Sequence, residues 1–485
     1  MKRILFKDCK FLFALPEHGG ITSGNSVYVE GQDIKAVGKY HEILNAYPSI
    51  KEADIVDCSM KIVLPGLVDG HNHLCNTHMN LARIILLNYG DIAAHMMATI
   101  HDPYGWMTEE CLYDISTASI VTDVKNGATT IENSTIMPDI AFRAMDNAGI
   151  RGILAPQMAT SFRLASDALN YKEMLARTEK NILDYHNPKG RITVAVHVHD
   201  LWDTLEEVML SGMRLAEKYN TKYVTHFWEF QNAVDRMEAI YKEKGGALTH
   251  YLDKGLVNER CVLFHGSMLN EREIERVAKT GASIIHNPDI NGTNCGNCAY
   301  IPYMLKEGIN IGIGSDYGSL DVKTAMKLML FAHNIMPRTF KALQPHAPFS
   351  AATMGGARAY GLEDQIGSIT PGKRADLITF DLRSASELLP MCTSVIDYDP
   401  SILYFLFARN AAGLHTSESM VDGEFLRRNG KFTQLDEEAI TQKAADWCER
   451  FIPELTAAHR EGKHFVHTVH PDFMRDEAIP RDLLA

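Results

Sequence analysis

Val68-Asp69-Gly70-His71-Asn72-His73 closes a short apolar run with two histidines placed two residues apart. In an extended segment residues i and i+2 face the same side, so both imidazoles emerge together where the run ends. The same event recurs along the chain. Tyr223-Val224-Thr225 runs into His226, Val262-Leu263-Phe264 into His265, and Ile311-Gly312-Ile313-Gly314-Ser315 into Asp316. Short apolar runs bounded by turn signals read as buried strands. A polar residue at the carboxyl end of each strand gathers imidazoles and a carboxylate on one rim of a parallel sheet.

Outward from these points, short apolar runs alternate with longer amphipathic ones from Gly127 onward, the pattern of repeated strand–helix units. Strands are expected at 128–131 (ending at Glu132), 151–155, 192–196 (leading to His197 and His199), 223–225, 261–264, 282–285 (ending at His286) and 309–313. The run 62–68 makes an eighth. Segments 205–219 and 271–280 have helical spacing. Eight such units predict a (β/α)8 barrel of TIM type, in which chemistry gathers at the carboxyl ends of the strands. The flanks read differently. Residues 25–38 alternate and turn at Gly31 as a hairpin, and 375–381 and 420–425 read as strands, with Asp422-Gly423 and Asn429-Gly430 as turns. The expected division is a small β-sandwich built from both chain ends (1–62 and 365–435), a barrel over 63–364, and a C-terminal helix and tail over 436–485.

Composition narrows the classes. The 485 residues are 46% hydrophobic and 22% charged, ordinary for a globular enzyme. A formal net charge of −13 argues against a nucleic-acid partner, which selects a basic face. No apolar run approaches the ~18 residues of a membrane span. The opening Met1-Lys2-Arg3-Ile4-Leu5-Phe6 is interrupted by Lys7, Asp8 and Lys10, so it reads as a strand and not a signal peptide. Nine scattered cysteines fit a reducing cytoplasm. The one close pair, Cys295-Gly296-Asn297-Cys298, reads mainly as a tight polar loop, with a metal or redox role as the alternative.

Imidazoles and a carboxylate together suit a borderline divalent cation such as zinc. With one coordination position open, such an ion makes a hydroxide equivalent at neutral pH, so the expected activity is a metal-dependent hydrolysis. At these positions the chain resembles the amidohydrolase superfamily, in its aminohydrolase and chlorohydrolase branch. The likeness is carried by Leu64-Pro65-Gly66-Leu67-Val68-Asp69-Gly70-His71-Asn72-His73, Thr225-His226-Phe227-Trp228-Glu229 and Phe264-His265-Gly266. His286-Asn287-Pro288, Gly314-Ser315-Asp316 and the segment from Ile366 to Leu377 continue it.

The resemblance implies one divalent metal ion per chain, Zn2+ first and Fe2+ or Mn2+ as alternatives, held by His71, His73, His226 and Asp316. It implies Glu229 as a proton donor and acceptor, and His265 as the residue that orients or deprotonates the nucleophilic water beside Asp316. Asn76, Trp106, His199, Asn287 and Asn291 are the expected substrate contacts, and Tyr104 and Trp228 are candidates to stack on a planar ring or simply to pack. A lysine at the end of the fourth strand would suggest two metals; Val196-His197-Val198-His199-Asp200 stands there instead. His197 reads as a supporting group or substrate contact, with an extra metal as the less favoured role. Met326, Met329 and Met336 read as core, and His459, His464, His467 and His470 as an exposed tail.

The expected reaction is hydrolytic deamination of a small aminated N-heterocycle by a homo-oligomeric enzyme that needs neither membrane nor nucleic acid. Displacement of chloride or an alkylamine, or cleavage of an amide or urea C–N bond, is the alternative at the same site. A non-enzymatic scaffold is disfavoured because every ligand position is filled.

Overall fold

The computed structural model describes residues 2–15, 20–74, 108–158, 171–201, 204–335, 343–385, 388–390 and 392–460. Asn76, Tyr104, Trp106 and Met336, and the tail histidines beyond residue 460, lie outside the described residues.

Eight parallel strands follow one another in chain order: β1 (Leu67–Asp69), β2 (Ala128–Thr135), β3 (Arg151–Met158), β4 (Val196–Asp200), β5 (Tyr223–Phe227), β6 (Cys261–His265), β7 (Ser283–His286) and β8 (Asn310–Ile313). Each pairs with the next in sequence. The ring closes between its first and last strands. Gly70 N–H donates to the Ile313 carbonyl and Asp316 N–H to the His71 carbonyl, both at 2.8 Å. Asn72 and Asp316 form a parallel bridge there. Helices such as Glu206–Lys218 and Glu271–Ala278 lie between strands where their spacing predicted them. The expected TIM-type barrel is therefore the observed one.

The strand expected over 62–68 is two strands. Lys61–Pro65 runs antiparallel to Leu377–Asp381 in another sheet, and β1 begins only at Leu67. Gly66 is the pivot, its N–H donating to the Asp376 carbonyl at 2.9 Å. A Cβ here would fall 1.9 Å from Thr129 Oγ1, so the chain can cross from one sheet to the other only with glycine at this point. The fourth strand also has two legs, Ile192–Val194 and β4. His197 and His199 consequently lie within a strand rather than after it.

The second part of the fold is a sandwich of two sheets. One is entirely N-terminal, with Asp33–Lys39, Asn25–Glu30, Arg3–Cys9 and Ile55–Asp57 as neighbours in that order. The other mixes both ends of the chain: Phe11–Leu15, Gly20–Thr22 and Lys61–Pro65 join Leu377–Asp381, Glu418–Val421, Glu424–Arg428 and Lys431–Phe432. Phe6, Val27 and Val29 meet Leu12, Val63, Leu377 and Met420 in one buried cluster between the sheets. Both anticipated turns form two-residue hairpins. Positive φ at Asp422 and Gly423 (48° and 74°), and at Asn429 and Gly430 (51° and 75°), gives them the type I′ twist.

Arg151, the first residue of β3, fastens the sandwich to the barrel. Its guanidinium is buried and pairs with Asp376 at 2.8 Å and Asp422 at 2.5 Å, while donating to the Gly190 carbonyl at 3.0 Å. The helix Glu437–Arg460 returns to the helix Glu109–Asn126, where Trp447 Nε1–H donates to Asp114 at 3.0 Å and Lys125 pairs with Glu437 at 2.6 Å. No helix among the described residues is long and apolar enough to cross a membrane.

Candidate active site

The carboxyl rim of the barrel brings together His71, His73, His226, Glu229, His265 and Asp316. His226 is the fourth of the five residues of β5 and His265 the last of β6. Glu229 stands two residues past β5, and His71, His73 and Asp316 follow β1 and β8. The β1 and β8 exits are fixed to each other by Asp69. Its carboxylate accepts Ser315 N–H at 2.9 Å, His71 N–H at 3.4 Å and Asn72 Nδ2–H at 3.0 Å, together with the Ser315 hydroxyl. The exits also approach closely at Gly314, where a Cβ would sit 2.8 Å from the His71 nitrogen. His71, His73, His226, Glu229, His265 and Asp316 are all buried, none more than 5% exposed.

Three imidazoles are held in one tautomer. His71 Nδ1 lies 3.1 Å from Glu132 Oε2, His73 Nδ1 3.1 Å from the Ser134 carbonyl, and His226 Nδ1 2.6 Å from the His199 carbonyl. Each oxygen accepts the Nδ1 proton, so each ring keeps a lone pair on Nε2. The Nε2 atoms of His71 and His73 lie 3.7 and 3.5 Å from Asp316 Oδ1. His71 Nε2 is buried without a hydrogen-bond partner, a costly arrangement unless a cation takes its lone pair. The residues present therefore fit a divalent cation.

His265 is held the other way round. Asn287 and Asn291 donate their side-chain N–H groups to its Nδ1 at 3.3 and 3.0 Å, which leaves the ring proton on Nε2. That nitrogen lies 3.6 Å from Glu229 Oε2 and 3.7 Å from Asp316 Oδ2. It is also within 4.8 Å of ligand atoms of His71 and His226, but a protonated nitrogen donates a hydrogen bond and does not coordinate.

The electrostatics follow from burial. Desolvation, reinforced by the neighbouring imidazoles, pushes His71 and His226 well below the ordinary histidine range, and His265 to about 3, so the rings are neutral. Burial, with Asp316 and Asp200 adding to it, pushes the Glu229 carboxyl well above the usual carboxylate range. Two of these residues also carry backbone strain. His265 and Asp316 have φ of 75° and 56°, a region costing non-glycine residues about 1–3 kcal/mol and concentrated at functional sites.

Asn287 and Asn291, expected to face substrate, lie against His265. His199 offers its carbonyl to His226, and its ring centroid is 4.7 Å from that of His226. His197 is buried 5.6 Å from the His226 ring and belongs to none of the ligand clusters among the described residues. Trp228 is 1% exposed, packs on Phe227 with centroids 4.2 Å apart, and donates to Glu273, so its role is packing. The sequence reading gave Glu132, Asp69 and Phe264 no role. Phe264 stacks on His71 at 3.8 Å. An acidic residue inside a fully buried run, as Glu132 is in β2, was the available signal.

Glu132→Gln is expected to weaken metal affinity about 10–100-fold, because a neutral amide accepts the His71 Nδ1–H more weakly and can turn its own N–H toward that nitrogen instead. Chelator competition measures it, and an unchanged affinity would show that Glu132 does not set that ring.

A closed parallel barrel with imidazoles and carboxylates on its carboxyl rim places the chain in the class of barrel enzymes with a His/Asp donor set. The model of the amidohydrolase family matches residues 62–423. The chain belongs to this family of hydrolases, which act on C–N bonds. It is 28% identical over 408 residues to a 5'-deoxyadenosine deaminase of Methanosphaera stadtmanae, covering 82% of this chain and 89% of that protein. It is 26% identical over 379 residues to a 5-methylthioadenosine/S-adenosylhomocysteine deaminase of Thermoanaerobacter pseudethanolicus, covering 76% and 84%. Among solved structures, a zinc-bound adenosine deaminase from Xanthomonas campestris shares the fold with a TM-score of 0.77 at 21% identity, over 93% of this chain and 98% of that one. An atrazine chlorohydrolase from Arthrobacter aurescens complexed with zinc does so with a TM-score of 0.76 at 20% identity, over 92% and 100%.

Proposed function

We propose that this amidohydrolase is a hydrolytic deaminase of a 6-aminopurine nucleoside or a closely related aminated N-heterocycle. The observation that carries the site assignment is the common tautomer of His71, His73 and His226, each offering Nε2 at a buried rim beside Asp316. These four residues are the ligands for one divalent cation, zinc in the first instance. Such an ion supplies Lewis acidity and lowers the pKa of a coordinated water toward ~7. The names of the two curated relatives direct the choice of ring to adenosines altered at the 5′ position.

The chain's own residues then divide the proton transfers. Attack of water on the amine-bearing carbon drives an electron pair onto the adjacent ring nitrogen, where the Glu229 carboxyl donates its proton. One water proton passes to Asp316 and on to the departing amine. Loss of the C–N bond expels ammonia, and the remaining hydroxyl proton restores Glu229 as the ring carbonyl forms. His265, with its proton fixed on Nε2, donates a hydrogen bond that orients the attacking oxygen. Asn287 and Asn291 act through that ring. Asn76, Trp106, His199, Asn287 and Asn291 are the candidate substrate contacts.

The test is a panel of 5′-modified adenosines, other aminated purines, pyrimidines, pterins and triazines, assayed on zinc-reconstituted protein for ammonia, chloride and new carboxylate. Ammonia release from the adenosines, lost on chelation and regained on adding zinc, is expected. Chloride, alkylamine or carboxylate products without ammonia would replace deamination by the alternative displacement or amide hydrolysis.

A further inference from the structure

A second set of metal-type donors lies beneath the β7 loop. His286 is the last residue of β7. Cys298 follows the turn Asn291–Cys295, and His333 belongs to the helix Val322–Ile335 that follows β8. The end of β7, the loop that follows it and a more distant helix thus meet at one point. Cys298 Sγ lies 3.7 Å from His286 Nε2, and one ligand atom from each of the three residues falls within 4.8 Å of the others. Both histidines are fully buried, with ring centroids 5.7 Å apart. None of the three belongs to the His71, His73, His226 and Asp316 set.

We propose that His286, Cys298 and His333 form a second, structural zinc site, distinct from the active-site cation. The spacing suits it. With Zn–S near ~2.3 Å and Zn–N near ~2.0–2.1 Å, a tetrahedral ion holds sulfur and nitrogen about 3.6 Å apart, close to the observed separation. The donor types suit it too, since two imidazoles and a thiolate select a borderline or soft cation over calcium or magnesium. Burial alone pushes His333 down to about 4, and chiefly burial pushes Cys298 up to about 12, so the protein brings two neutral rings and a neutral thiol here. On binding, the S–H proton is released to solvent as the metal–sulfur bond forms, and the redox state of neither partner changes.

The site ties the β7 loop to the helix after β8. That loop carries Asn287 and Asn291, the residues that hold His265, so the ion stiffens the support of the active site without entering it.

The test uses the full-length protein stripped of metal and titrated with Co2+ or Zn2+. Two bound ions per chain are expected, one of them giving the near-ultraviolet thiolate-to-cobalt charge-transfer absorption that the sulfur-free active-site set cannot produce. Cys298→Ser loses that absorption and one ion, whereas Cys295→Ser keeps both. His333→Gln loses the same ion. Zinc-edge X-ray absorption on the unaltered zinc-loaded protein supplies a readout independent of variant folding: sulfur in the averaged first shell supports the site. A cobalt-loaded protein without the thiolate absorption, or a zinc shell of only nitrogen and oxygen, overturns it. Either result leaves the ammonia assay, and with it the deaminase reading, unaffected.

Discussion

Glu229→Gln is expected to lower the rate of ammonia release by about 10²–10⁴-fold with metal content and fold unchanged. The substitution is close to isosteric, and the carboxyl it replaces is already held toward its neutral form by burial, Asp316 and Asp200. An amide at this position therefore adds no new charge to the site. In the proposed mechanism it removes the acidic proton given to the ring nitrogen and the carboxylate that takes one back. Steady-state kinetics with metal analysis on the same preparation measure the effect. Full turnover in a folded, metal-loaded variant would remove Glu229 from the proton path and leave Asp316 as the remaining carboxylate for that work.

The largest effect on stability is expected from Arg151→Ala, about 3–5 kcal/mol, the cost of removing one partner from a buried ion cluster. Arg151 sits between Asp376 and Asp422 at the foot of the barrel. Burial works against its charge, yet the two carboxylates outweigh burial and keep it cationic. Without the guanidinium, two carboxylates are left desolvated and close together, one of them already raised by burial. The denaturation midpoint in urea reads this directly. Lys180→Ala, at an exposed i,i+4 pair with Asp184, is the control and leaves the midpoint in place. Equal, small shifts in both variants would show that the cluster contributes no more than a surface pair.

The barrel was legible because its strands announce themselves: apolar runs such as Val262-Leu263-Phe264 end in a polar residue that the interior cannot absorb. The same signal located His71, His73, His226, His265 and Asp316. It could not divide 62–68 into two strands, since Gly66 separates two apolar segments that look alike and join different sheets. Nor could it assign tautomers. Those depend on Glu132, the Ser134 and His199 carbonyls and two asparagine side chains, contacts between residues up to 61 positions apart that no local pattern encodes. The strain at His265 and Asp316 was hidden for the same reason, because histidine and aspartate in a strand pattern give no hint of a positive φ.

The Asp69 carboxylate joins the exits of β1 and β8, the two strands that make the ring continuous. His71 and His73 on one side and Asp316 on the other therefore face each other across that junction. His71, His73 and His226 all ride on the unbroken run of strands from β1 to β5, and only Asp316 stands across the seam, so the fourth donor is in place only where the ring is closed. A cation taken by the histidines on one side and Asp316 on the other would rivet that seam against reopening.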